Sequence, residues 1–184
     1  MPVYVALLRG INVGSHKRVT MADLRAVLVR AGYPDVTTYI QTGNVLLTSD
    51  EGSGPALGDS LERALARGLE LEADVIVRSA AELAQVVRAN PFLERGADPS
   101  TLYVGFLKAA PEADAAQALE KTDFRDERFE LRGADLYLQY PAGLGRSKMS
   151  AAFFERTLRV RLTVRRWSVV VKLLELAEGL AVAP

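Results

Sequence analysis

Residues 36–48 read Val36-Thr37-Thr38-Tyr39-Ile40-Gln41-Thr42-Gly43-Asn44-Val45-Leu46-Leu47-Thr48. Two runs rich in β-branched and apolar residues flank Thr42-Gly43-Asn44, a hairpin signal. The stretch predicts strands over 36–41 and 45–48. Upstream, Val3-Tyr4-Val5-Ala6-Leu7-Leu8-Arg9 reads as a buried strand. Thr20-Met21-Ala22-Asp23 is a variant capping box that opens a helix. Leu24, Val27, Leu28 and Ala31 give this helix one apolar face, and Gly32 ends it. Downstream, a helix runs from Pro55 to about Leu69, with Leu57, Leu61, Ala64, Leu65 and Gly68 on one stripe. Asp74 to Arg78 is a strand. The hairpin therefore sits inside a β-α-β-β-α-β order.

The order recurs. Ser79-Ala80-Ala81-Glu82 is a second capping box and opens a linking helix, which Asn90-Pro91 stops. Glu94 to Ser100 is a polar loop at the expected boundary between residues 1–90 and 91–184. Then follow a strand (101–107), a helix (111–119), two strands around Gly133 (128–131, 136–140), a helix (149–158) and a short strand (162–165). A last helix, 168–180, has Val169, Leu173, Leu176 and Leu180 as its seam. The expected fold is α+β: two ferredoxin-like (α-β plait) subdomains, each βαββαβ with an antiparallel sheet, and an added C-terminal helix.

Composition narrows the chemistry. The 184 residues include no Cys and one His, with 23 basic and 23 acidic side chains. Disulfides, thiolate metal sites, Cys nucleophiles and multi-His metal sites are excluded. No run of about 18 apolar residues predicts a membrane span. The start, Met1-Pro2-Val3-Tyr4, has no basic leader, so the expectation is a cytoplasmic protein. The zero net charge hides an asymmetry. Arg146 to Lys172 holds eight basic residues and one acid, Glu155. That segment suits one anion-binding face, or a solvated stretch balanced by acids elsewhere.

Four places can hold a ligand. Arg9-Gly10-Ile11-Asn12-Val13-Gly14-Ser15-His16-Lys17-Arg18 leaves a strand end and enters a helix. Gly10 and Gly14 allow positive φ, so successive N–H groups can point at one anion. Arg9, Lys17 and Arg18 add charge. The stretch lacks the spacing of either common nucleotide fingerprint, and the bland reading is a long turn. Tyr140-Pro141-Ala142-Gly143-Leu144-Gly145-Arg146-Ser147-Lys148 repeats the device, with Gly143, Gly145, Ser147 and Lys148 as candidates. In Thr163-Val164-Arg165-Arg166-Trp167, Arg165 and the single Trp, Trp167, suit stacking, or Trp167 serves packing. Gln41 and Asn44 flank the hairpin turn and offer amides. His16 reads as an exposed loop residue. Nothing marks a catalytic residue or a metal site.

Tyr4 through Gly14, Met21-Ala22-Asp23-Leu24-Arg25, Tyr39 through Val45, and Tyr140-Pro141 with Gly143, Gly145 and Ser147-Lys148 resemble the bacterial "domain of unknown function 1697" family. The likeness spans nearly the whole chain. It implies two α-β plait subdomains and no established activity, cofactor or catalytic residue. The family's C-terminal motif runs Thr-x-Arg-Asn-Trp-x-Thr-Val. Thr163, Arg165, Trp167 and Val170 fit it, whereas Arg166 stands for Asn and Val169 for Thr. The expected function is binding of an anionic, phosphate-bearing small molecule through the glycine-containing basic loops. The alternatives are single-stranded nucleic-acid binding by the basic segment with Tyr39, Tyr103 and Tyr137, or a homodimeric interaction module.

Overall fold

The structure is a computed structural model that describes residues 1–12, 18–52 and 54–182. The candidates Gly14 and Lys17, with His16, lie outside the described residues. The chain divides into two compact units. One comprises Met1–Gln85 and the chain from Lys172 onward. The other is Val86–Val171. The division therefore runs through two helices rather than through the polar loop, since neither helix carries a breaker at those points.

The first unit contains β1 (Val3–Leu8), α1 (Met21–Arg30), β2 (Thr37–Tyr39), β3 (Asn44–Thr48), α2 (Gly54–Leu69) and β4 (Val75–Ser79). Helix α3 (Ala80–Arg88) follows without a loop, and α4 (Pro91–Glu94) follows α3. The later elements are β5 (Leu102–Leu107), α5 (Ala113–Glu120), β6 (Arg128–Arg132), β7 (Asp135–Gln139), α6 (Ala151–Leu158) and β8 (Leu162–Arg166). Helix α7 (Trp167–Val182) leaves β8 directly.

Each unit holds a four-stranded antiparallel sheet, in the order β2-β3-β1-β4 and β6-β7-β5-β8. On one face of the first sheet, Tyr4, Ala6, Leu8, Val45, Leu47, Val75 and Val77 pack with Leu24 and Leu28 of α1 and Leu57, Leu61 and Leu65 of α2. The other face is buried too, at Val5, Leu7, Leu46 and Ile76. A strand buried on both faces reads as a continuous apolar run, which is why β1 does not alternate. In the second unit Tyr103, Leu107, Leu136, Leu138 and Leu162 pack with Leu119, Phe154 and Leu158. Edge strand β6 is only half-buried.

Local chemistry sets the helix starts. Thr20 Oγ1 accepts from the Asp23 N–H at 3.0 Å and donates to Asp23 Oδ2 at 2.7 Å. Ser79 and Glu82 exchange three bonds: Glu82 N–H donates to Ser79 Oγ at 3.2 Å, and the Ser79 N–H and Oγ donate to Glu82 Oε2 at 2.7 and 2.8 Å. Pro91 ends α3 as expected, yet it also opens α4. Asn90 Oδ1 accepts from the Phe92 N–H at 3.0 Å, and proline suits the first helical position. Strand β2 is shorter than expected because Ile40 turns to φ +50°.

Candidate functional site

The first strand order brings the end of β1, the β2–β3 turn and the start of β4 to one edge. The Leu8 N–H donates to Gly43 O at 2.8 Å, and the Arg9 N–H donates to Asp74 O at 2.9 Å. Arg9 Nη1 lies 3.8 Å from Asp74 Oδ2. Gly43 has φ +74°, and a Cβ there would come within 2.7 Å of Ile11 Cδ1 and 2.8 Å of Leu8 Cβ. Only glycine fits under the loop.

Asn12 joins two of the stretches singled out in the sequence. Its Nδ2 donates to Val19 O at 2.9 Å and to Gln41 O at 3.2 Å, and its Oδ1 accepts from the Val19 N–H at 2.9 Å. The carboxamide thus closes the loop at its base and fastens it to the hairpin turn. Asn12 itself adopts φ +56°, and Gly10 φ +67°. Asn44 is fully buried, and its Nδ2 donates to Tyr39 O and Thr42 Oγ1, both at 3.0 Å. The side chains of Gln41 and Arg18 are exposed. In the first unit, Arg9, Gly10, Asn12, Arg18, Gln41 and Asn44 therefore cluster around one edge. Asn12 and Asn44 use their amides within the protein.

In the second unit the Tyr140–Lys148 stretch is a capped turn. Gly143 takes φ +82° and its N–H donates to Tyr140 O at 3.0 Å. Ser147 Oγ donates to Glu127 Oε2 at 2.6 Å and accepts from the Met149 N–H at 2.8 Å. Tyr140 donates to Met149 O at 2.6 Å. Burial, with Glu127 nearby, pushes the Tyr140 phenol well above its ordinary range. Gly143, Gly145 and Lys148 are exposed. This loop leaves β7, which runs antiparallel to β5, so it occupies the opposite end of its sheet from the end at which β1 delivers Arg9 in the first.

Arg165 and Trp167 are buried, at 8 % and 6 % exposure. Arg165 Nη1 donates to Thr163 Oγ1 at 2.6 Å and to Val164 O at 3.0 Å. Burial lowers its guanidinium to about 10. Arg165 has a counterpart that the sequence reading missed. Arg78 is likewise 8 % exposed, and its Nη1 donates to Val77 O at 3.0 Å. Arg78 pairs with Val5 as Arg165 pairs with Val104. The signal was present as Val77-Arg78 and Val164-Arg165, each arginine one residue before the end of a strand that runs directly into a helix.

A cavity of about 630 Å³ in the second unit was also missed. Phe92, Leu119, Phe124 and Phe129 line it with Arg95 and Glu127, and Glu127 ties its wall to Ser147. Its residues come from separate elements with no shared motif. Tyr103 and Tyr137 are buried at 5 % and 2 %; Tyr103 meets Tyr140 edge-on at 5.3 Å, and Tyr137 donates to Val86 O. Among the described residues no group of three or more His, Asp or Glu is arranged to hold a metal ion, and no helix is long and apolar enough to cross a membrane.

The profile of the family described as "Protein of unknown function (DUF1697)" matches residues 1–137. Among solved structures, the conserved bacterial protein SP0830 from Streptococcus pneumoniae is similar over 97 % of this chain and 99 % of its own. The TM-score is 0.74 at 24 % identity, a likeness of fold. No curated protein matches.

Proposed function

The chain belongs to the DUF1697 family of proteins of unknown function, and from that premise we propose that it binds an anionic, phosphate-bearing small molecule at the β1 edge of the first unit. The carrying observation is the Asn12 carboxamide, which closes the glycine loop through two main-chain bonds to Val19 and fastens it to the hairpin turn through a third, to Gln41 O. A turn needs no such fastening merely to connect a strand to a helix. Gly10 and Asn12 take left-handed backbone, a conformation that anion-holding loops use. Arg18 supplies charge from the same loop, and Arg9 sits at its base. We further read each unit as a ferredoxin-like plait, a reading supported by the two strand orders. A cysteine-free chain suits the cytoplasm.

The small-molecule reading is favoured over single-stranded nucleic acid because, of the three rings named for it, Tyr103 and Tyr137 are buried and Tyr39 is half-buried, whereas base stacking needs exposed ring faces. Thermal unfolding against nucleotides, sugar phosphates, coenzymes and short oligonucleotides tests it. A bound compound at about 100 times its Kd adds ~2.7 kcal/mol. We expect one phosphate compound to raise the melting temperature, and Arg9→Gln with Arg18→Gln to remove the shift. A shift given only by oligonucleotides, or the lack of any phosphate compound whose shift those substitutions remove, rejects the reading.

A further inference from the structure

The first unit carries a second basic feature, on the helix side of its sheet. A groove of about 500 Å³ runs between α1 and α2. Arg30, Arg63 and Arg67 line it, with Tyr33, Glu51 and Ser60. Arg63 and Arg67 stand four residues apart on α2, where like charges repel. Arg30 comes from the last turn of α1. Among the described residues, Arg30 and Arg67 make no hydrogen bond or ion pair.

The acid of the groove is already engaged. Tyr33 donates to Glu51 Oε1 at 2.6 Å, and Ser60 donates to Glu51 Oε2 at 2.9 Å. Arg63 Nη2 donates to Ser60 Oγ at 2.9 Å rather than to the carboxylate. Burial and Glu51 hold the Tyr33 phenol neutral, pushed up to about 12. Both Glu51 oxygens therefore accept from neutral hydroxyls, while the three guanidinium groups line the same space. Gly68 shapes the wall: a Cβ there would lie 2.6 Å from Val27 Cγ1, so the helices meet closely at this point.

We propose that this groove binds a phosphomonoester in solution. Three guanidinium groups less one carboxylate leave a charge of +2, which a phosphate ester near −2 at neutral pH complements. Arginine forks suit the tetrahedral oxygens. A volume of about 500 Å³ accommodates a ligand of sugar-phosphate size. The site is separate from the β1 edge and stands or falls without it.

Glycerol 3-phosphate serves as the probe, titrated at constant ionic strength and followed by amide chemical shifts and by melting temperature. The expected result is saturable shifts at residues 27–33 and 60–68. Arg63→Gln with Arg67→Gln should weaken binding at least tenfold, and Arg18→Gln should not. All three side chains are exposed, so the variants fold. Absent shifts at these helices, or affinity unchanged in the double variant, overturns the proposal. Sedimentation with phosphatidate vesicles, without any response to glycerol 3-phosphate, assigns the groove to a membrane headgroup and also overturns it. Loss of binding in Arg18→Gln alone supports the β1 edge and overturns the groove.

Discussion

In the first unit a glycine lies between helix and sheet; in the second, a set of phenyl rings does. A Cβ at Gly58 of α2 would stand 2.9 Å from the Val75 carbonyl oxygen, so the helix backbone rests close on β4. In the second unit Phe153 meets Phe154 edge-on at 5.5 Å, Phe124 meets Phe153 at 5.0 Å, and Phe154 meets Phe129 at 6.0 Å. The sheets beneath are matched strand for strand. Val5 pairs with Leu46 and Arg78, and Val104 pairs with Tyr137 and Arg165. One register thus supports two helix layers packed through different residues. The glycine-contact layer leaves its groove between α1 and α2, and the aromatic layer leaves its cavity beside α5 and β6.

The largest effect should come from the aromatic layer. Phe154 is fully buried and touches two other rings. Phe154→Ala removes about 3–5 kcal/mol by the usual cost of an emptied core ring. Urea unfolding measures it. A loss below about 1 kcal/mol would mean that the rings do not hold the layer apart, by the same scale.

The close contact of α2 on β4 is tested by Gly58→Ala. An exposed helical glycine replaced by alanine gains about 1 kcal/mol. Here the new methyl meets a backbone oxygen, which cannot rotate away, and overpacking costs about 1–3 kcal/mol. The expected balance is a net loss. A gain in the denaturation midpoint would show that α2 can lift from β4 freely, and the contrast with the second unit would collapse.

One buried phenol of the first unit stands apart. Tyr33 donates to the Glu51 carboxylate, whereas Tyr4 of the same unit and Tyr137 and Tyr140 of the second donate to main-chain carbonyls. Tyr33→Phe should cost about 1 kcal/mol at neutral pH, one hydrogen bond's worth. The alkaline limb sharpens the comparison. The Tyr33 pKa is raised from 10.0 to about 12, first by burial and then by Glu51. The unfolded chain loses this proton first as pH rises. The contribution is therefore complete below pH 10 and lost as pH rises through about 12. Stability measured across that window should fall less steeply in Tyr33→Phe. Parallel slopes would remove Tyr33 from the account.

Much of this architecture is legible in one dimension, and the reason is range. Strand and helix periods, the Thr20–Asp23 and Ser79–Glu82 boxes and the Gly43 turn are written within a few residues of where they act. The Asn12 clamp is not, because its bond to Gln41 spans 29 positions and needs the strand order first. Asn12 was recognisable as a candidate ligand residue; its use as a fastener was not. Arg78 became visible only when the registers aligned it with Arg165. The groove and the cavity are gaps between elements, and no local pattern encodes a gap. Pro91 shows a further limit: the same residue ends one helix and starts another, and the first role masked the second.

The smallest effect probes the matched sheets themselves. Ala6 and Gly105 occupy the same place, one residue beyond Val5 and Val104. Ala6 pairs with Val45 and Val77, and Gly105 with Leu136 and Val164. The larger Leu136 fills the room that a methyl occupies in the first unit. A Cβ at Gly105 would still stand 3.4 Å from Leu136 Cβ, an ordinary contact. Gly105→Ala should therefore gain about 0.5–1 kcal/mol, because glycine in a strand interior loses excess freedom on folding. Urea midpoints at unchanged slope would register the gain. A loss would mean that Leu136 has no slack, and that each sheet is fitted to its own helix layer down to a single methyl. The shared register would then be a common plan with separately adjusted cores, and transferring residues between the units would fail even where their strands coincide.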